Sequence, residues 1–250
     1  MNLRLRHAFL LATLCSLSLR SAEITVFAAA SLSDAFKELA PQFQAATGHT
    51  LRCNFGASGT LVRQIKEGAP ADVIFSADEL RVDQLEKAGL LLPGTRKTIL
   101  ANTLVLVVAA DGGAPVAALA DLTKASLRHV AIGEPATVPA GTYAKEYLQK
   151  LGLWQPLLDK LVPLDTVRAV LAAVEAGNAE AGFVYQTDAL ISKKVKIALA
   201  VPRAEGPQIT YPVAVLKDAR SPEAARALVA FLAGPEAQKV FAKFGFLTPN

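Results

Sequence analysis

The chain is short of the residues on which much soluble chemistry depends. Its 250 residues hold two Cys, three His, one Trp and one Met. Cys15 sits in an N-terminal leader-like stretch, so Cys53 stands alone in the remainder, and one thiol makes neither an intramolecular disulfide nor a thiolate metal cluster. Cys53 lies in the alternating pattern Leu51-Arg52-Cys53-Asn54-Phe55 and reads as a small hydrophobe on a strand. Histidine is equally sparse. His49 falls in the turn Thr47-Gly48-His49-Thr50, and His129 directly precedes a strand-like segment. Neither lies beside a nucleophile-elbow sequence, so a Ser-His-Asp hydrolase has no base. Walker A, G-x-G-x-x-G and H-E-x-x-H motifs are also missing, and no carboxylate pair stands out. The sequence therefore assigns no catalytic residue and no bare metal cation, and the reading is that the protein is not an enzyme.

Charge of one sign is scarce too. The chain carries 26 Lys and Arg against 22 Asp and Glu, a net +4. Arg4, Arg6 and Arg20 lie in the first 22 positions, where there is no acidic residue, which leaves 23 against 22 beyond them. No later Lys/Arg run exists, so a nucleic-acid partner is not expected. The apolar run Ala8–Leu19 has 12 residues, short of the roughly 20 that span a bilayer. Preceded by Arg4 and Arg6 and followed by Ser21-Ala22, it reads as a cleavable secretory signal over residues 1–22. Cys15 raises the alternative of a lipid anchor, although Leu14 before it is larger than the usual small residue. The predicted location is periplasmic.

What is present is ordinary: 52% hydrophobic, 19% charged and 6% aromatic residues, with 16 Gly and 14 Pro. This is the composition of a globular α/β protein and excludes a disordered, collagen-like or polytopic membrane chain. Strand and helix patterns alternate from the start. Ile24–Ala28 reads as a buried strand, and Ser31–Ala46 as a helix with Leu32, Ala35, Phe36, Leu39 and Phe43 on one face. Ser31 or Ser33 is its predicted N-cap. A strand at Thr50–Phe55, a helix near Gly59–Glu67, a strand at Asp72–Phe75 and a helix at Asp78–Ala88 follow. After Pro93-Gly94 comes an apolar run of strand character, Thr98–Ala110. A second block has strands at Val130–Ile132 and Ala181–Tyr185, helices at Ala140–Leu151 and Asp165–Ala176, and a further strand at Val195–Val201. Beyond the loop Pro202–Gln208, Tyr211–Leu216 is strand-like, and helices Pro222–Ala233 and Pro235–Phe244 end the chain. Repeated β-α units predict mainly parallel sheets flanked by helices. Two blocks joined by strand-like crossovers near 98–110 and 200–212 predict two lobes with a cleft between them.

At the carboxyl ends of such strands helices begin, and their free N–H groups favour anions. Two strand-to-helix junctions combine small residues with a hydroxyl: Phe27-Ala28-Ala29-Ala30-Ser31-Leu32 and Phe55-Gly56-Ala57-Ser58-Gly59-Thr60-Leu61. Each serine could equally be a plain helix cap. On the second block, Gly133–Glu146 leaves a strand and opens a helix at Pro139, Asp165-Thr166-Val167-Arg168 opens another with Asp165 as predicted cap, and Tyr185 ends a strand.

Val26–Leu32, Gly59–Asp78, Val138–Glu146, Asp165–Arg168, Tyr185–Asp188, Tyr211-Pro212-Val213-Ala214-Val215 and the Lys243-Phe244-Gly245-Phe246 ending occur here in one order. In combination they resemble the periplasmic molybdate-binding proteins of ATP-binding-cassette importers. The resemblance implies a type II periplasmic-binding-protein fold whose two crossover strands act as a hinge. It implies one lobe from residues 23–100 plus 208–250 and the other from 101–207. It also implies an oxyanion site in which Ser31, Ser58 and Tyr185 donate through hydroxyls and Ala140 and Val167 through backbone N–H groups. The ligand would be molybdate or tungstate, with no other cofactor, and the partner a membrane permease, with the protein itself a monomer. Glu134 and Thr187 depart from the Asp and Ser common in that family, and Gly59 replaces a Ser found in some members. Sulfate or another tetrahedral oxyanion is the alternative ligand, and an enzyme on the same fold is the alternative class.

Overall fold

The computed structural model describes residues 21–249, so the expected leader, apart from Ser21 and Ala22, lies outside the described residues. In chain order the strands are β1 (Glu23–Ala29), β2 (Thr50–Gly56), β3 (Val73–Phe75), β4 (Lys97–Asn102), β5 (Leu104–Ala109), β6 (Val130–Gly133), β7 (Leu161–Leu164), β8 (Ala181–Tyr185), β9 (Val195–Ala200) and β10 (Ile209–Val215). The helices are α1 (Ser33–Thr47), α2 (Ser58–Lys66), α3 (Glu79–Lys87), α4 (Pro139–Lys150), α5 (Trp154–Leu157), α6 (Val167–Glu175), α7 (Gln186–Leu190), α8 (Pro222–Ala233) and α9 (Pro235–Lys243).

Two five-stranded sheets repeat one plan, with orders β2-β1-β3-β10-β4 and β7-β6-β8-β5-β9. In the first, β1 runs parallel to β2 and β3, while β10 is antiparallel to β3 and β4. In the second, β6 is parallel to β7 and β8, while β5 is antiparallel to β8 and β9. The expected two-lobed α/β architecture is present, but each sheet is mixed rather than mainly parallel. A strand that returns through a packed helix must run parallel to its predecessor. The strands β5 and β10 instead arrive from the other lobe, so nothing constrains them to that direction.

The long apolar run at Thr98–Ala110 is divided between the sheets: β4 ends at Asn102, β5 begins at Leu104, and Thr103 alone links them. Its carbonyl accepts from Gln186 N–H at 2.9 Å. The central strands β3 and β8 are buried along their whole length, and β5 is buried from Leu104 to Val108. This is the continuous apolar pattern of strands covered on both faces by helices. Helix α1 buries Ala35, Phe36, Leu39 and Phe43, which is the apolar face its spacing predicts. The C-terminal segment closes back on the crossover. Leu247 and Ala101 exchange N–H···O bonds of 2.7 and 2.9 Å, and the Phe246 ring meets the Tyr211 ring edge-on at 5.4 Å. Sequence reading did not foresee β7, whose Pro163 sits on an edge strand as proline must.

Candidate functional site

Strand β1 runs into one turn of 3-10 helix, Ala30–Leu32, before α1 begins at Ser33. Neither Ser31 nor Ser33 caps α1 through its side chain, contrary to the capping expectation. The Ser31 hydroxyl, buried, lies 3.1 Å from the Tyr211 hydroxyl instead. Ser58 opens α2 and is fully buried; its Oγ accepts the Ala77 N–H at 3.0 Å. With its oxygen so engaged, its proton is left for another acceptor.

On the other lobe, α4 begins with Pro139 and Ala140, and α6 begins at Val167. Their first-turn N–H groups have no partner four residues earlier in the helix. The cap of α6 is Thr166, whose hydroxyl accepts from Ala169 N–H at 3.0 Å, and not Asp165 as the sequence led one to expect. The close approach of α4 to β6 needs two glycines. A Cβ on Gly141 would stand 1.8 Å from the Gly133 carbonyl oxygen, and one on Gly133 would stand 2.4 Å from Val138. Tyr185 ends β8, fully buried, with no hydrogen-bond partner for its hydroxyl. Burial, then the neighbouring Tyr211, Tyr143, Asp78 and Asp188, hold that phenol well above its ordinary pKa, so it stays a donor.

Ser31, Ser58, Ala140, Val167 and Tyr185 line one small cavity of about 10 Å³, together with small or apolar residues such as Ala29, Gly56 and Val138. All five residues named from the sequence are thus brought together, although they come from five separate strand-to-helix junctions. No charged side chain lines the cavity. That volume is far below the roughly 300–1,000 Å³ of sites for drug-sized organic molecules and is on the scale of one small ion. Among the described residues, no group of three His, Cys, Asp or Glu is placed to hold a metal cation.

The lobes meet around the cavity. Gly59 N–H donates to the Thr137 carbonyl at 2.9 Å, and a Cβ on Gly59 would come within 2.7 Å of that oxygen. Arg81 is paired to Asp78 at 2.7 Å and donates across to the Ala136 carbonyl and the Thr142 hydroxyl at 3.1 and 3.2 Å. Burial raises the Asp78 carboxyl and the Arg81 guanidinium opposes that rise. On the other side, Arg168 lies 2.6 Å from Asp34 and donates to the Ser31 carbonyl at 3.2 Å. Its Nε sits 2.7 Å from Oδ1 of the fully buried Asp188. The second oxygen of Asp188 accepts the Tyr185 N–H at 3.2 Å. Arg168 therefore ties the start of α1 to the residue that presents the phenol.

Sequence reading missed the roles of Asn102, Tyr211, Arg81 and Arg168. One signal was available: Asn102 and Thr103 are the polar interruption in an otherwise apolar run. Thr187, one of the two departures noted from the resembled family, is buried and accepts a hydrogen bond from Asn102 Nδ2 at 3.0 Å. Glu134, the other, folds its carboxylate onto the Ala136 N–H at 3.2 Å in the loop before α4.

The family model of bacterial extracellular solute-binding proteins matches residues 24–247. The chain belongs to that family. The molybdate-binding protein ModA of Escherichia coli K12 is 41% identical over 234 residues, covering 90% of this chain and 88% of its own length. The solved periplasmic molybdate-binding protein of Azotobacter vinelandii superposes with a TM-score of 0.82 at 28% identity, over 91% of this chain and all of that one. The sulfate-binding protein SubI of Mycobacterium tuberculosis shares the fold, with a TM-score of 0.79 at 20% identity over 91% of this chain and 87% of that one. The cavity walled by β1, β2, α4, α6 and β8 lies where the two sheets' strand-to-helix junctions face one another.

Proposed function

We propose that this chain captures molybdate, and tungstate equally, in the interlobe cavity and delivers it to the permease of an ATP-binding-cassette importer. The observation that carries the reading is the Tyr185 hydroxyl: fully buried, unpartnered and lining a cavity with the two serines. A buried donor without an acceptor is costly, and an oxyanion would supply the acceptor. The donors converge without a lining carboxylate, which suits a tetrahedral dianion that carries no proton near neutral pH. Phosphate retains a proton there and would need an acceptor. The molybdate named for the Escherichia coli and Azotobacter relatives supports this choice of anion. Helix ends and neutral hydroxyls serve as donors in place of a counter-ion.

Residues 23–102 with 208–250 form one lobe and 103–207 the other, and the two crossovers act as the hinge about which the lobes close. The boundary falls two residues past the one expected from the sequence because β4 extends to Asn102. The protein acts after export, its first 22 residues serving as a cleaved signal. It works as a monomer and without turnover, since the site offers no general base. Sulfate is the second reading, supported only by the shared fold with SubI.

Thermal unfolding of the chain lacking residues 1–22 tests the ligand. A ligand at 100 times its Kd adds about 2.7 kcal/mol, which for a protein of this size raises Tm by roughly 5–10 °C. That rise is expected with molybdate and tungstate, and not with phosphate. An equal rise with sulfate would shift the assignment to a general oxyanion receptor, and no rise with any of the four would remove its support. Gly59→Ala tests closure. The added methyl meets the Thr137 carbonyl only when the lobes are together, an overpacking cost of about 1–3 kcal/mol. Molybdate affinity should fall while the Tm without ligand stays level or rises, because Ala is the better helix former. An unchanged Kd would mean that the bound state does not bring Gly59 to Thr137.

A further inference from the structure

The cavity hydroxyls do not stand alone, and one is wired from behind. Asn102 is buried at the crossover, where β4 leaves the first sheet. Its Oδ1 accepts the N–H of Thr103 at 2.9 Å, which fixes its amide nitrogen on the opposite side. That Nδ2 donates to the Thr187 hydroxyl at 3.0 Å and to the Tyr211 hydroxyl at 3.1 Å. The two amide protons are thereby used, one on each lobe. The Tyr211 oxygen lies 3.1 Å from Ser31 Oγ, and the Tyr211 side chain is fully buried. Its ring is held edge-on by Phe75, Tyr185 and Phe246, at centroid distances of 6.5, 5.9 and 5.4 Å. Since Asn102 occupies the phenol oxygen as a donor, the phenol proton needs an acceptor. Ser31 Oγ is the one within reach. Were Ser31 to donate to Tyr211 instead, the phenol proton would be orphaned in the interior, the costlier arrangement.

We infer that Asn102 and Tyr211 are positioning residues that hold Ser31 as a donor: Asn102 donates to Tyr211, Tyr211 donates to Ser31, and the Ser31 proton is turned into the cavity. Tyr211 takes one of the two lone pairs of Ser31 Oγ, and the Ser31 proton is left for the bound anion. Because Asn102 also holds Thr187 on the other lobe, the relay is complete only when the two lobes are in register. The inference rests on the oxyanion reading of the cavity and adds to it how the Ser31 donor is oriented.

The test is a double-mutant cycle on the whole exported chain, with Tyr211→Phe, Ser31→Ala and the pair. Kd is measured by calorimetry for whichever of molybdate, tungstate, sulfate and phosphate the wild type binds most tightly. Tyr211→Phe keeps the ring and its packing and removes only the hydroxyl. It should raise Kd about tenfold, on the scale of one charge-assisted hydrogen bond. In the Ser31→Ala background it should change Kd by less than twofold, because its whole effect passes through the serine. Multiplicative effects in the cycle would reduce Tyr211 to a packing residue and overturn the inference while leaving the ligand assignment intact. A wild type that binds none of the four anions would overturn both.

Discussion

Replacing Arg168 by methionine should cost about 2–3 kcal/mol more stability near pH 8 than near pH 5, since each pH unit above a carboxyl that titrates at about 6 is worth about 1.4 kcal/mol. The reason is Asp188. Its carboxyl is fully buried, and the Arg168 guanidinium 2.7 Å away is its charge partner. Burial raises this carboxyl, with Arg168 and the Tyr185 N–H opposing the rise, and it titrates at about 6 against an ordinary 3.8. A carboxyl raised in the folded state holds its proton more tightly there than in the unfolded chain. That contribution favours folding below about pH 4 and is lost as pH climbs through about 6. Without Arg168 the carboxyl would rise further, so the deficit of the variant opens above about pH 6, where the wild-type carboxyl ionises, and is nearly closed at pH 5. Denaturant melts at pH 5 and pH 8 measure it. A loss that is small at pH 8, or the same at both values, would show that Asp188 does not depend on this partner. Asp34→Asn removes only the partly exposed arm of the network and should cost under about 1 kcal/mol. Arg168→Met should also weaken anion binding, because Asp188 holds the Tyr185 backbone and Arg168 holds the Ser31 carbonyl.

Ser58→Ala is expected to act twice. It removes a hydroxyl donor to the anion, which is worth about 1.5–3 kcal/mol for a charged acceptor, or a Kd roughly 10–150-fold higher. It also strips the Ala77 N–H of its acceptor in a fully buried position, a further cost to stability of about 1–3 kcal/mol. Ser31→Ala should match the loss in affinity and also cost stability, because it leaves the buried Tyr211 phenol proton without its acceptor. Calorimetry for Kd and thermal melts without ligand separate the two effects. A change in binding of only a few tenths of a kcal/mol in either variant would remove that serine from the site.

These expectations draw unequally on sequence and structure. Ser31, Ser58 and Tyr185 stand at strand ends that carry local signals, while the set of five, with Ala140 and Val167, was named through the family resemblance. A strand that ends in small residues and a hydroxyl before a helical pattern is recognisable wherever it occurs. Even so, the local reading of Ser31 and Ser33 as caps was displaced. The turn at Ala30–Leu32 bends Ser31 toward Tyr211, 180 residues away in sequence, and a tertiary hydrogen bond outcompetes the local one. The shift of the α6 cap from Asp165 to Thr166 is a smaller case of the same kind, since both residues carry a suitable oxygen and only the backbone geometry chooses.

Apart from β7 and the short α5 and α7, the order of strands and helices, the two blocks, the crossovers and the small-residue junctions were determined by the sequence alone, because periodicity and turn chemistry act over a few residues. The antiparallel insertion of β5 and β10, the Arg81 and Arg168 bridges and the Asn102–Tyr211–Ser31 relay were decided by tertiary structure. Each joins residues that are distant along the chain, and the energy that holds them comes from excluding water where the two lobes meet. A buried polar group finds its partner only after the packing around it exists, so no local pattern can announce the pair.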